Sequence, residues 1–265
     1  MINGSRSLLS GLSVVLVVTF SLAALAALAQ QQTPAPSPSK DSSAPADKDK
    51  NTSVNEKSQV NPQTGISNDR LFYALPNFLS VEATQLPPMT WQQKYKAVAR
   101  GSFDYVEYPW YAVLSGICQA ENCEPGYRQG AAGYAKRYGA YFADGTIENF
   151  ITSAVLPSIL RQDPRYYQLG KGSFMHRTGY AISRMFVTRT DAGGEQFYFS
   201  VVLGGAISAG ISTYAYHPRA DRTVPNTLSV WGTQLGYDTL TAVVKEFWPD
   251  IKRRMHRRHQ AALAP

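Results

Sequence analysis

The densest run of chemistry-bearing side chains in this chain is Arg161, Gln162, Asp163, Pro164, Arg165, Tyr166 and Tyr167. It combines guanidinium groups, a carboxylate and phenols beside a proline that a rigid turn can present. Guanidinium forks match the geometry of carboxylates, phosphates and sugar hydroxyls. Arg161, Asp163, Arg165 and Tyr166, joined by Arg177 and Arg184, therefore form the candidate ligand-binding set, suited to an anion or a carbohydrate. The competing reading is architectural: Asp163 pairs with an arginine and the tyrosines seal the edge of the core.

Other pairings carry weaker chemistry. Asp144 and Glu148 lie four apart and share a helix face if helix continues through Gly145, but no Glu-x-x-His or His-Glu-x-x-His element accompanies them. A solvated or arginine-paired face is the simpler expectation. Cys118 and Cys123 are the two cysteines of the chain, and in an exported protein a local disulfide is favoured. No histidine or further cysteine is near them in sequence, so a metal is not expected. Ser208, in Ala206-Ile207-Ser208-Ala209-Gly210, aligns with a nucleophile elbow, yet His217 is the sole later histidine before the basic C-terminus. Ser208 is better read as a small residue on a packed face. No catalytic residue and no cofactor is assigned.

The elements that must position these groups read mainly as helices. Thr90 and Gln93 form a capping-box pattern before Trp91, Tyr95 and Val98. Pro109 suits the first turn of a second helix, with Trp110, Val113, Leu114 and Ile117 on one face. A third runs through Ile147, Phe150, Ile151, Ala154, Val155 and Ile159, interrupted at Gly145, kinked at Pro157 and ended by Asp163. Residues 178–203 are ambiguous between a hairpin about Asp191 to Gly194 and two helices meeting at a turn, and helices are preferred. The uncharged run Phe197 to Tyr216 is a buried core helix in preference to a membrane insertion or a strand, with its glycines packed on Gly232 and Gly236 of the last helix. That helix is capped by Asn226 or Thr227 and bent or ended by Pro249.

Around this domain the composition changes abruptly. Residues 1–29 hold one charge, Arg6, then an apolar run ending at Ala27, Leu28 and Ala29, the pattern of a cleaved signal peptide. An uncleaved anchor is the alternative. Residues 30–70 carry Pro34, Pro36, Pro38 and Pro45 among polar residues and no aromatic, which implies a disordered linker. Residues 71–251 form the folded domain. Residues 252–265 are a basic tail whose Lys252, Arg253, Arg254, Arg257 and Arg258 supply most of the formal charge of +7 in the 265-residue chain.

The expectation is an all-α exported domain, periplasmic or associated with the outer envelope, in which these cations meet anionic lipid or an envelope polymer. No nucleic-acid-binding signature is present. The leading function is non-enzymatic, a structural or interaction module held peripherally at a membrane. The alternative is a hydrolase or an anion- or carbohydrate-binding protein using Arg161 to Tyr167. A small β-barrel would require the ambiguous middle and the tyrosine-rich segments all to be strands.

Overall fold

The computed structural model describes residues 70–71, 75–77, 79–81 and 86–263, with side chains through 257, all within one unit, Ser58–Pro265. The expected signal peptide and nearly all of the expected linker lie outside the described residues. So does the side chain of Arg258.

The described domain is mostly α-helical. Three two-residue strands open it, β1 Arg70–Leu71, β2 Leu75–Pro76 and β3 Ser80–Val81. Then come α1 Trp91–Ser102, α2 Glu107–Glu121 and α3 Gly130–Phe150, a π-turn Ile151–Val155, and the short α4 Leu156–Ile159. After β4 Tyr166–Tyr167 follow α5 Phe174–Ser183, the hairpin β5 Val187–Arg189 with β6 Glu195–Phe197, α6 Phe199–Ala215 and the long α7 Val224–Leu263. β3 pairs with β4 in parallel. α6 lies at the centre, packed against α3, the π-turn and α7, while α2 packs on α3 and α5 on α7.

The Thr90 capping box is formed, with both reciprocal hydrogen bonds made, at 2.8 and 3.3 Å. Residues 178–203, however, combine both readings. Helix gives way to an antiparallel hairpin between Val187 and Phe197, closed by Gly193 at φ 87°, and helix resumes at Phe199.

Further expectations are corrected. Gly145 does not interrupt α3, because it lies where the Tyr111 hydroxyl of α2 approaches too closely for any Cβ. α2 itself turns Tyr111, Ser115 and Cys118 inward and leaves Val113 exposed. The helical ladder is broken instead by a π-turn before Pro157, where the Leu156 N–H reaches back five residues to the Ile151 carbonyl.

Pro249 does not end the last helix, which runs through it to Leu263. A proline leaves the carbonyl four residues earlier without its helical donor. Here that carbonyl, of Lys245, accepts from Gln168 Nε2 at 2.6 Å, and the Glu246 carbonyl accepts from Arg177 Nη2. β4 and α5 thus cover the gap, and residues 252–263 continue α7 rather than forming a separate tail. The start of α7 is also earlier than expected: Thr223 Oγ1 accepts from the Asn226 N–H at 3.3 Å, which places Asn226 and Thr227 within the first turn.

Candidate functional site

The Arg161 to Tyr167 segment folds as an internal scaffold, and its candidate ligand-binding residues are dispersed. Arg165 lies over Asp163, with Nε 2.9 Å from Oδ1 and Nη2 2.6 Å from Oδ2, and both residues are buried. Tyr167 donates to the same carboxylate at 2.7 Å, and Arg165 also reaches the Pro87 carbonyl at 2.9 Å. Tyr166 points elsewhere, to Glu246 of α7 at 3.0 Å. Arg177 bonds Glu246 and Asp250, Arg184 pairs with the hairpin residue Glu195 at 2.8 Å, and Arg161 is exposed with φ 52°. A 570 Å³ cleft borders Asp163, Tyr167, Arg189, Asp191 and Glu195. Its three carboxylates are already paired, with Arg165, Lys94 and Arg184.

Three unflagged residues hold this scaffold. Glu246, fully buried, accepts from Tyr166, from the Leu169 and Gly170 amides and from Arg177 at 2.8 to 3.0 Å. Gln162 accepts from the Ser200 amide and hydroxyl at 2.9 and 2.6 Å, thereby capping the start of α6. Lys94, 1% exposed, donates to the Pro157 and Gln162 carbonyls and to Asp191.

The second arrangement centres on His217, just past α6. Its Nδ1 lies 3.0 Å from Glu124 Oε1 and its Nε2 3.2 Å from Asp144 Oδ2. The Tyr216 hydroxyl donates to the other oxygen of Asp144 at 2.6 Å. Burial opposes a charged imidazole, but the two carboxylates outweigh it and push the His217 pKa up to about 9. Asp144 is only partly exposed, and its partners in place of an arginine are Tyr216 and His217. Glu148, one turn on, is half-buried near Asp238 and Asp144, and its desolvation and these like charges push its pKa up to about 8. On the other side of Glu124, Cys118 and Cys123 form a disulfide with Cα atoms 5.2 Å apart. Among the described residues, Cys118, Cys123 and Glu124 are the one set of three metal-ligating side chains whose donor atoms converge, within 4.8 Å.

The third arrangement is a surface. α6 contains no charged residue, and its small side chains face inward: Ser200, Gly204, Gly205, Ser208, Ala209, Ser212 and Thr213 are buried. Phe199, Leu203, Ile207, Ile211 and Tyr214 face outward, each 41 to 51% exposed. Gly204 seats Thr152 and Leu156, and Gly205 seats the Trp231 ring, whose Nε1 donates to the Val202 carbonyl at 3.0 Å. Gly232 and Gly236, expected to meet α6, instead lie on the exposed side of α7 with Val224, Leu228 and Leu240. Arg254, also exposed, follows Gly236 by about five helical turns and so returns to the same face. No helix among the described residues is long and apolar enough to cross a membrane.

No protein family, curated protein or solved structure matches this chain.

Proposed function

We propose that this protein is a non-enzymatic module of the cell envelope, exported and seated peripherally on an anionic membrane surface through the outward faces of α6 and α7. One observation carries the reading: α6 is polarised opposite to a water-facing helix, with serine and glycine inward and Phe199, Leu203, Ile207, Ile211 and Tyr214 outward. Small residues between helices and large apolar residues outside are the arrangement used against lipid. The 17-residue α6 is about 25 Å long, which suits a helix lying in the plane of the interface. Exposed Arg254 and Arg257 add cations on α7 beyond its apolar stretch, matching acidic headgroups. Lipid, rather than an envelope polymer, accounts for the apolar half of this surface.

The test is co-sedimentation with phosphatidylglycerol-containing vesicles. The wild type is expected to bind, and Leu203→Asp with Ile207→Asp to lower affinity at least tenfold. Arg254→Glu with Arg257→Glu should remove most of the salt dependence. Equal binding by the wild type and the aspartate variant would overturn the reading. So would a stable dimer that these aspartates dissociate in the absence of any vesicle binding, because the face would then belong to a second copy.

A further inference from the structure

We propose that when the Cys118–Cys123 disulfide is reduced, Cys118, Cys123, Glu124 and His217 become the four ligands of a divalent transition-metal ion of the zinc type. In sequence the cysteine pair lacks partners, but the fold sets Glu124 against the sulfurs and His217 against Glu124, from which the imidazole would turn inward to the ion. The donor atoms of Cys118, Cys123 and Glu124 already lie within 4.8 Å of one another. His217, distant in sequence, places Nδ1 3.0 Å from Glu124 Oε1. Two thiolates, an imidazole and a carboxylate are all ligand types that tetrahedral zinc accepts, and the four-residue gap between the cysteines lies within the range seen in zinc sites.

Two features point to a built site rather than a chance cluster. The first is that the cysteines are held together without their covalent bond. Asn122 ends α2 in the left-handed conformation at φ 51°, its N–H bonds the carbonyls of Cys118 and Gln119, and the Cys123 N–H bonds the Cys118 carbonyl at 3.1 Å. Buried Arg137 clamps the loop from behind through the Glu124 and Arg128 carbonyls at 2.8 and 2.7 Å. After reduction the two sulfurs need only separate to about 3.7 Å, a matter of side-chain rotation, to share a metal with bonds of about 2.3 Å. The second feature is the hydrogen bond at the far side of the imidazole. His217 Nε2 faces Asp144, itself fixed by the Tyr216 hydroxyl, and this is the carboxylate–histidine arrangement that orients a metal-bound ring.

The chemistry balances with an external reductant. Cys123 is exposed and Cys118 buried, so a thiol or phosphine attacks the Cys123 sulfur and Cys118 leaves as a thiolate that takes up a proton. With a thiol, a second equivalent frees Cys123. With a phosphine, water does so and the phosphine oxide forms. The disulfide gains two electrons and two protons, and the reductant is oxidised. Binding of the ion then releases both thiol protons, together with any proton His217 must lose from Nδ1. The oxidised chain has no thiolates to offer, so the site is gated by redox state. This inference is independent of the membrane reading.

The experiment uses the full chain, anaerobically reduced with a phosphine or left oxidised. Each form is equilibrated with zinc, desalted and assayed for metal, with cobalt as a spectroscopic substitute. The reduced protein is expected to retain about one equivalent of zinc and to show sulfur-to-cobalt charge transfer, the oxidised protein neither. Cys118→Ser with Cys123→Ser should abolish retention in both states. Asp144→Asn should weaken zinc about tenfold to a hundredfold in competition with a chelating dye while the cobalt spectrum keeps its thiolate bands. Circular dichroism confirms that each variant is folded. Equal zinc on reduced and oxidised protein, or unchanged retention by the double serine variant, would overturn the proposal.

Discussion

Two regions of this molecule obey opposite rules. Around β4, α5 and the middle of α7, charged groups are drawn inside and given partners: Asp163 with Arg165 and Tyr167, Glu246 with Arg177 and two backbone amides. Along α6, small and hydroxyl side chains are inside and large apolar ones outside. The first region resists water through mutual satisfaction of its polar groups. The second leaves apolar area uncovered, for which folding alone gives no return. The contrast teaches that abundance of functional side chains is a poor guide here. The arginine-rich stretch is scaffold, and the unmarked helix presents the surface.

The sharpest way to break this contrast is Glu246→Ala. It strands Arg177, Tyr166 and two amides, and a loss of about 3 to 5 kcal/mol is expected in denaturant titration; a loss below about 1 kcal/mol would show that the network is dispensable. Gln168→Leu uncovers the Lys245 carbonyl at Pro249 and should cost about 1 to 3 kcal/mol, with reduced helicity at the C-terminal end seen by amide exchange.

Next in size is a pH effect. Burial pushes Glu107, Glu148 and Asp238 up to about 7, 8 and 6, with like charges adding to the shift for both glutamates. Folded-state values above the unfolded ones mean a contribution present below about pH 4 to 4.5 and lost as pH rises through 6 to 8. Stability should fall by about 2 kcal/mol between pH 5 and 8, the groups retaining some contact with solvent. Glu148→Gln should flatten the upper part of that slope, and an unchanged slope would remove Glu148 from the account.

The smallest expected effect is the most telling. Leu203→Asp with Ile207→Asp should change stability by no more than about 0.5 kcal/mol per site, whereas an inward replacement, Gly205→Leu, meets the Trp231 ring at 3.2 Å and should cost about 1 to 3 kcal/mol. If the two sets of variants destabilise equally, the face is not an exterior one.

Much of the fold was legible in the residues. Thr90 and Gln93 announce α1, Pro164 marks the end of the third helical stretch, and the apolar recurrence from Leu228 onward marks α7. Direction was less legible. α6 contains only apolar, small and hydroxyl residues, so its periodicity shows a helix without showing which side is inward. Pro249 reads as a bend or an end because its remedy, Gln168, lies far away in the chain. Asp144 and Glu148 stand out in the sequence as a pair, but His217 reads there only as an insufficient catalytic partner. It becomes informative once α2, α3 and the end of α6 bring Glu124, Asp144 and Tyr216 around it.

The graft at Pro249 has a mechanical corollary. Because Gln168 and Arg177 splint the proline from the side, the last 14 residues of α7, about 21 Å of rod, keep the azimuth set by the turns before it. Arg254 and Arg257 are thereby joined to Leu228 and Gly236 by one unbroken helical shaft. Cutting the splint would let that shaft swivel, leaving grease and charge aimed at different planes although neither had been altered.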